Sequence, residues 1–310
     1  MMSLTFSQVA ALWREDKRKY VKNATYAIYS QLCRCYILPA FGPCRGGDLS
    51  EAAIQHFADS LLAGGYALKT VKDTMLVFRM ILRHGEKLGA WPHIEYTVHY
   101  PTQTAATPLP LLTVRQQQKI SRYLRENFSF RNLGLLICLQ SGLRIGEVCG
   151  LQWQDLDVEA GVIHVGRTVQ RIFIDDGCAR ESFLSIDTPK TASSVRDIPM
   201  SRELRELVRP FRKVTAPERY VLSNGTVPTE PRTYRAYFYR LLKQLDIPPV
   251  RFHALRHSFA TRCIESKCDY KAVSAILGHA SISTTLDLYV HPGYREKKQV
   301  IDRLMRTLGK

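Results

Sequence analysis

The sequence predicts an α+β fold, mostly α with a small antiparallel β-sheet, and three observations carry that expectation. Apolar residues recur at helical spacing through roughly the first 95 residues. Three strand-like runs, 162–174, 183–187 and 195–199, then follow one another, separated by DDG and PKTASS. Helical spacing resumes from Glu203 onward. Helices, a local sheet and helices again show no alternation of strand and crossover helix, which argues against a parallel doubly wound sheet.

The first helix is expected around Phe6 to Tyr20. Thr25 can cap a second, whose apolar face runs through Tyr26, Tyr29, Leu32, Cys33, Tyr36 and Ile37 and is closed by Pro39 and Gly42. Ser50 can start a third, with Ile54, Phe57, Ala58, Leu61 and Leu62 inward and Gly64-Gly65 at its end. Thr70 opens a fourth through Val71, Met75, Phe78 and Leu82. Four amphipathic helices of this kind make a small bundle. Lys69, Lys72, Arg79 and Arg83 stand between the apolar positions of the fourth, on a face that is either simply solvated or laid on phosphates.

Pro92, Pro101, Pro108 and Pro110, with TQTAATP among them, then break the helical pattern. The domain boundary is placed there: a helical domain over 1–100, an extended linker over 101–110 and a second domain over 111–310. Beyond it, Thr113–Phe128 and Phe130–Cys149 read as helices, with Gly142 breaking the latter. The region 162–187 is long for a strand run and has no evident reason in the sequence. After Glu203 the breaks fall at Pro217, at the SNG turn and at Pro248-Pro249.

The formal charge is +16 over 310 residues. Residues 1–105 carry 12 Lys+Arg against 8 Asp+Glu and the remainder 32 against 20, so both halves share the excess. A polyanion is the natural partner of such a surface, because neutralised phosphates release condensed counterions. Charge alone does not separate DNA from RNA or an anionic membrane. No apolar run approaches the roughly 18–20 residues that span a bilayer, and the N-terminus lacks the basic and apolar stretches of a secretory signal. The eight cysteines sit mostly in apolar helical contexts, as at Cys138 and Cys149. Cys33, Cys35 and Cys44 have no fourth ligand at zinc-site spacing, so free thiols in a reducing cytoplasm and no metal are expected.

Four segments of the second domain gather polar groups where an ordinary core has none. In SGLRIGEVCGL (141–151), Arg144 and Glu147 are three apart and flanked by Leu143, Val148 and Leu151. A guanidinium held still in this way suits bidentate phosphate recognition. In TPKTASSVRDIPM (188–200), Lys190 is expected at the tip of a hairpin between two strand runs. In RFHALRHSFAT (251–261), His253 and Arg256 stand side by side at a helix start, two cations that repel unless an anion lies between them. His257 is expected to point elsewhere and to be structural. In LGHASISTTLDLYVH (277–291), Gly278 ends one helix and His279 follows. Ser283, Thr284 or Thr285 caps the next, which carries Tyr289.

Together these segments resemble the tyrosine recombinase (phage integrase) family. That family orders Arg, a hairpin Lys, His-x-x-Arg, His and Tyr, and the positions are matched here by Arg144, Lys190, His253, Arg256, His279 and Tyr289. The words S-G-L-R-I-G-E-V, H-A-L-R-H-S-F-A-T and L-G-H followed by T-T-L-D-L-Y fit as well. The N-terminal helices are similar to the family's core-binding domain in length, position and pattern only.

The resemblance implies a helical core-binding domain followed by a catalytic domain, acting as a site-specific DNA recombinase or integrase. Tyr289 would attack a backbone phosphorus and form a 3′-phosphotyrosine. Arg144 and Arg256 would meet the developing charge, with His279 as a hydrogen-bond donor. Lys190 would be the general acid, His253 would assist proton transfer at Tyr289, and Glu147 would orient the shell without touching DNA. One phosphodiester replaces another, so neither ATP nor any other cofactor is expected, and no Walker-type motif is present. The implied partners are double-stranded DNA bearing specific recombination sites and three further copies of the chain, held in a homotetramer by the C-terminal helix. That helix carries an apolar stripe at Val300, Ile301, Leu304, Met305 and Leu308. The alternatives are a type IB-like topoisomerase with the same chemistry and a non-catalytic DNA-binding protein on the same fold. Helical patterning that begins almost at Met1 implies no arm-binding domain before it, and the expected location is cytoplasmic and nucleoid-associated.

Overall fold

The computed structural model describes residues 4–102, 111–175, 180–188, 194–289 and 294–309. Its first helices are α1 (Phe6–Arg18), α2 (Asn23–Leu32), α3 (Leu38–Phe41), α4 (Glu51–Ala63) and α5 (Leu68–Lys87), followed by α6 (Val114–Glu126), α7 (Phe130–Ser141) and α8 (Ile145–Cys149). The strands are β1 (Leu156–Asp157), β2 (Val162–Val165), β3 (Thr168–Asp175), β4 (Arg180–Asp187) and β5 (Arg196–Pro199). The chain closes with α9 (Arg202–Val214), α10 (Pro231–Gln244), α11 (Ala254–Glu265), α12 (Tyr270–Leu277), α13 (Ile282–Tyr289) and α14 (Tyr294–Leu308). Two compact units result: Met1–Ala106 with Arg171–Phe183, and Thr107–Gln170 with Leu184–Lys310. Among the described residues no helix is long and apolar enough to cross a membrane.

In the first unit, Thr5 opens α1 through a reciprocal capping box with Gln8, and Ser50 opens α4 by accepting the Ala53 N–H at 3.2 Å. Two starts differ from expectation. The carbonyls of Lys22 and Ala67, both in extended residues, accept the first bonds of α2 and α5. The backbone itself sets where these two helices begin, so Thr25 and Thr70 fall inside them and cap neither. Nor does Pro39 close the second helix. A π-turn over Cys33–Ile37, in which the Leu38 N–H reaches the Cys33 carbonyl, shifts the bonding register. Pro39 then lies in the first turn of α3, where a missing N–H costs nothing. The core is aromatic: Phe6 stacks on Phe78 and Trp91 at 5.3 and 5.9 Å, with Phe41 and Phe57 alongside.

The two-stranded sheet of β3 and β4 accounts for the long middle strand region. Ile172 and Ile174 of β3 are buried with Ala24 and Tyr26 of α2, so Arg171–Phe183 belongs to the first unit.

In the second unit, β2 lies between β1 and β5 in an antiparallel sheet, with Ile163 opposite both Leu156 and Ile198. The run 162–174 is two strands and not one. After Val165 the chain turns, and Arg167 pairs with Asp155 and reaches the Gly150 carbonyl at 3.4 Å. β4 and β5 consequently fall in different sheets. Lys190, expected on a hairpin between these strands, lies outside the described residues. Gly142 ends α7 at φ +66°, where a Cβ would stand 2.8 Å from the Leu277 and Phe259 side chains. Only glycine serves this turn. It brings α7 to a stop against α11 and α12, which set out the site.

Candidate active site

Three consecutive carbonyls at the C-terminal end of α12 are each taken by an arginine from a different element. Arg196 Nε donates to Ile276 at 2.5 Å, Arg256 Nη2 to Leu277 at 2.7 Å and Arg144 Nη2 to Gly278 at 3.4 Å. The last carbonyls of a helix have no intrahelical partner and sit at the negative end of its dipole, so cations collect there. Gly278, at φ +65°, ends α12 and lets these carbonyls fan outward. Arg256, 1% exposed, also donates to the Gly142 carbonyl at 3.1 Å.

Glu147 binds two of the arginines, Arg144 and Arg196, to one another. Its oxygens accept from the Arg144 N–H (2.9 Å), Arg144 Nη1 (2.8 Å), Arg196 Nη1 (3.1 Å) and Arg196 Nη2 (3.0 Å). Burial alone would raise the Glu147 carboxyl, but the hydrogen bonds and charges of Arg196, then Arg144, bring it below the ordinary carboxylate value. Three guanidinium charges therefore face one carboxylate. Burial, then the Arg144 charge, pulls Arg256 down to about 9, which leaves it cationic at neutral pH but short of counter-charge. An anion bound here relieves that shortage, and a phosphate suits the forks.

The histidines and Tyr289 close the site. The Tyr289 hydroxyl is hydrogen-bonded to Nδ1 of His257 at 2.7 Å, and both residues are 8% exposed. The Tyr289 ring lies parallel to His279 at 6.5 Å and packs with Ala260, Val273 and Leu277. His279 Nδ1 is fixed by the buried Thr285 hydroxyl at 2.8 Å. His253 sets its ring edge-on to His257 at 4.5 Å. Burial, then the charge of Arg256, pulls His279 down to about 4, and His253 is likewise pulled below the usual imidazole range by burial and then by His257. Burial raises the Tyr289 phenol, opposed by Arg256 and Arg144. At neutral pH the site holds a protonated phenol, neutral imidazoles and fixed cations.

The structure thus brings Arg144, Glu147, His253, Arg256, His279 and Tyr289 together, with Lys190 outside the described residues. Three residues escape the sequence reading. Arg196 sits in VRDIP like any strand arginine, and His257 makes the Tyr289 contact expected of His253. Thr285 is a buried partner of His279 inside α13, not a helix cap; the Ser283 N–H turns instead to the Ser281 hydroxyl at 3.2 Å. In the first unit, Lys69, Lys72, Arg79 and Arg83 are all exposed on α5. Lys69 pairs with Asp73 at 2.9 Å, while Lys72 and Arg79 stand over the rings of Tyr100 and Tyr96 at 5.2 and 5.7 Å.

Residues 111–296 match the phage integrase family, and residues 5–62 match the phage integrase N-terminal SAM-like domain. The chain is 30% identical over 189 residues to a tyrosine recombinase XerC-like protein of Caldanaerobacter subterraneus, covering 54% of this chain and 47% of that protein. It is 30% identical over 262 residues to the tyrosine recombinase XerD of Halalkalibacterium halodurans, covering 79% and 78%. The chain spans about half the length of the curated relatives it matches first. Among solved structures, the Tn1549 transposon integrase in complex with transposon right end DNA is 25% identical and superposes with a TM-score of 0.76, covering 97% of this chain and 99% of that one. The chain belongs to the phage integrase family of tyrosine recombinases.

Proposed function

We propose that this chain is a site-specific DNA recombinase or integrase that cuts and rejoins DNA through a 3′-phosphotyrosine at Tyr289. The observation that carries the reading is a buried phenol beside a cluster of three arginines whose one carboxylate, Glu147, is bonded by two of them. That is a nucleophile beside a site short of one anion. Arg144 and Arg256 hold the non-bridging oxygens, and His279, oriented by Thr285, donates to one of them. Glu147 and Arg196 position the two arginines, and Lys190 protonates the leaving 5′-oxygen. Exchange of one phosphodiester for another conserves bond energy, so the reaction runs without ATP.

Residues 1–100 serve as the core-binding domain and 111–310 as the catalytic domain, joined by the linker over 101–110. In support, the two family matches fall on either side of that linker. Double-stranded DNA with specific recombination sites is the substrate, and the chain works on DNA in the cytoplasm, at the nucleoid. The exposed stripe Val300, Ile301, Leu304, Met305 and Leu308 on α14 supports assembly into a homotetramer. The test is a covalent trap. The chain, mixed with genomic DNA of its source cell in EDTA and without ATP, is denatured, and DNA that remains attached to protein is sequenced. Adducts at recurring sites are expected. Adducts absent from every DNA offered, or formed only with added metal, contradict the reading.

A further inference from the structure

We propose that His257 is a catalytic residue, the acceptor of the Tyr289 proton as the phenolic oxygen attacks phosphorus. The inference rests on the reading of Tyr289 as the nucleophile. Among the described residues, the hydrogen bond of the Tyr289 hydroxyl is to His257 Nδ1, at 2.7 Å. Both side chains are buried, so bulk water does not compete for the proton. Helix geometry separates the jobs of neighbouring residues on α11. Arg256 points to the carbonyls of Gly142 and Leu277, and His257, about 100° further round, points to α13. His253, one turn earlier, meets the ring of His257.

With its proton on Nε2, the imidazole accepts the hydroxyl in the ground state and is already within transfer distance. The bond from the Tyr289 oxygen to phosphorus forms as the bond from phosphorus to the 5′-oxygen breaks. The phenolic proton passes to His257 Nδ1, and the departing 5′-oxygen is protonated by the general acid, the role proposed for Lys190. Religation returns both protons along the same paths. The base has to be unprotonated, and burial, then the charge of Arg256, holds His257 below the ordinary imidazole value. The charged or titratable groups beside it are His253 and Arg256 on its own helix and Tyr289 on α13, and of these it is the charge of Arg256 that lowers it; Asp287, the other charged residue of α13, is exposed. Of the helices packed on α11, α7 has no charged side chain after Arg131, and Lys271 at the start of α12 is exposed.

The test uses the intact chain on a DNA site trapped by the unaltered protein. His257→Asn keeps a hydrogen-bond acceptor but no proton affinity, and His257→Gln is run beside it to guard against local misfolding. Cleavage at neutral pH is expected to fall by about 100-fold or more with DNA affinity unchanged. The residual rate should climb about tenfold per pH unit, since hydroxide replaces the base. Difluorotyrosine at position 289, a more acidic phenol, should restore most of the loss in the variant while changing the unaltered protein little. Variants that cleave at the original rate and pH profile overturn the proposal. So do slow variants that neither pH nor the fluorinated phenol rescues, which assigns His257 to packing. If the unaltered chain gives no adduct, or Tyr289→Phe gives one, the reading of Tyr289 fails instead.

Discussion

Arg196 and Glu147 are joined by two hydrogen bonds, at 3.1 and 3.0 Å, with side chains only 6% and 3% exposed. A pair so buried stabilises little by itself relative to apolar packing, yet each member needs the other. Arg196→Met should cost about 3–5 kcal/mol in urea unfolding, because Glu147 loses two of its donors. Adding Glu147→Leu should recover much of that stability and leave the chain inactive on DNA. Equal stability of the Arg196→Met chain and the original would contradict the positioning role.

Arg256 spans two fixed carbonyls from opposite sides of the site. A lysine offers one point charge where the fork makes two directed bonds. Arg256→Lys should slow cleavage by about 10²–10³-fold. Affinity for DNA should change only a few-fold, since many other phosphate contacts remain. Single-turnover cleavage beside a filter-binding assay separates the two. Near-original cleavage by the lysine variant would remove Arg256 from the phosphate.

The depressed histidines give stability a pH slope. His279 titrates at about 4 in the folded chain against 6.5 for an ordinary imidazole, and His253 moves the same way. Between those values the unfolded chain binds more protons than the folded one, so stability is full above 6.5 and is lost as pH falls toward 4. Melting temperature should decline over that window in the free protein, and His279→Asn should flatten part of the decline. A melting curve indifferent to pH between 6.5 and 4 would contradict the burial of these rings.

The apolar stripe of α14 is open, with Val300 66%, Leu304 50% and Met305 60% exposed. Replacing Ile301 and Leu304 by serine should leave binding of one chain to DNA intact and abolish the four-chain complex in sedimentation. Persistence of that complex would place the assembly contact elsewhere.

Most of the fold and much of the polar cluster at the candidate site were legible because they rest on local signals. Arg144, His253 and Arg256 sit among apolar residues at helix starts, and periodicity marks the helices on either side. What stayed hidden depends on distant parts of the chain. Arg196 meets Glu147 across 49 residues of sequence, and inside VRDIP nothing separates it from a surface arginine. His257 reads as pointing away from His253 and Arg256, and α13 arrives 32 residues later to meet it there. The run 162–174 divides between Val165 and Thr168, where Arg167 pairs with Asp155, a pairing invisible to strand patterning. Helix starts set by extended Lys22 and Ala67 leave no capping side chain to read.

The proposed chemistry forms a covalent bond at one oxygen, and mass spectrometry of the trapped complex tests it most directly. After nuclease and protease digestion, a nucleotide should be found on the peptide carrying Tyr289, attached through the phenol, and Tyr289→Phe should bind DNA without forming the adduct. A nucleotide on any other residue, or an adduct that survives in Tyr289→Phe, would contradict the account.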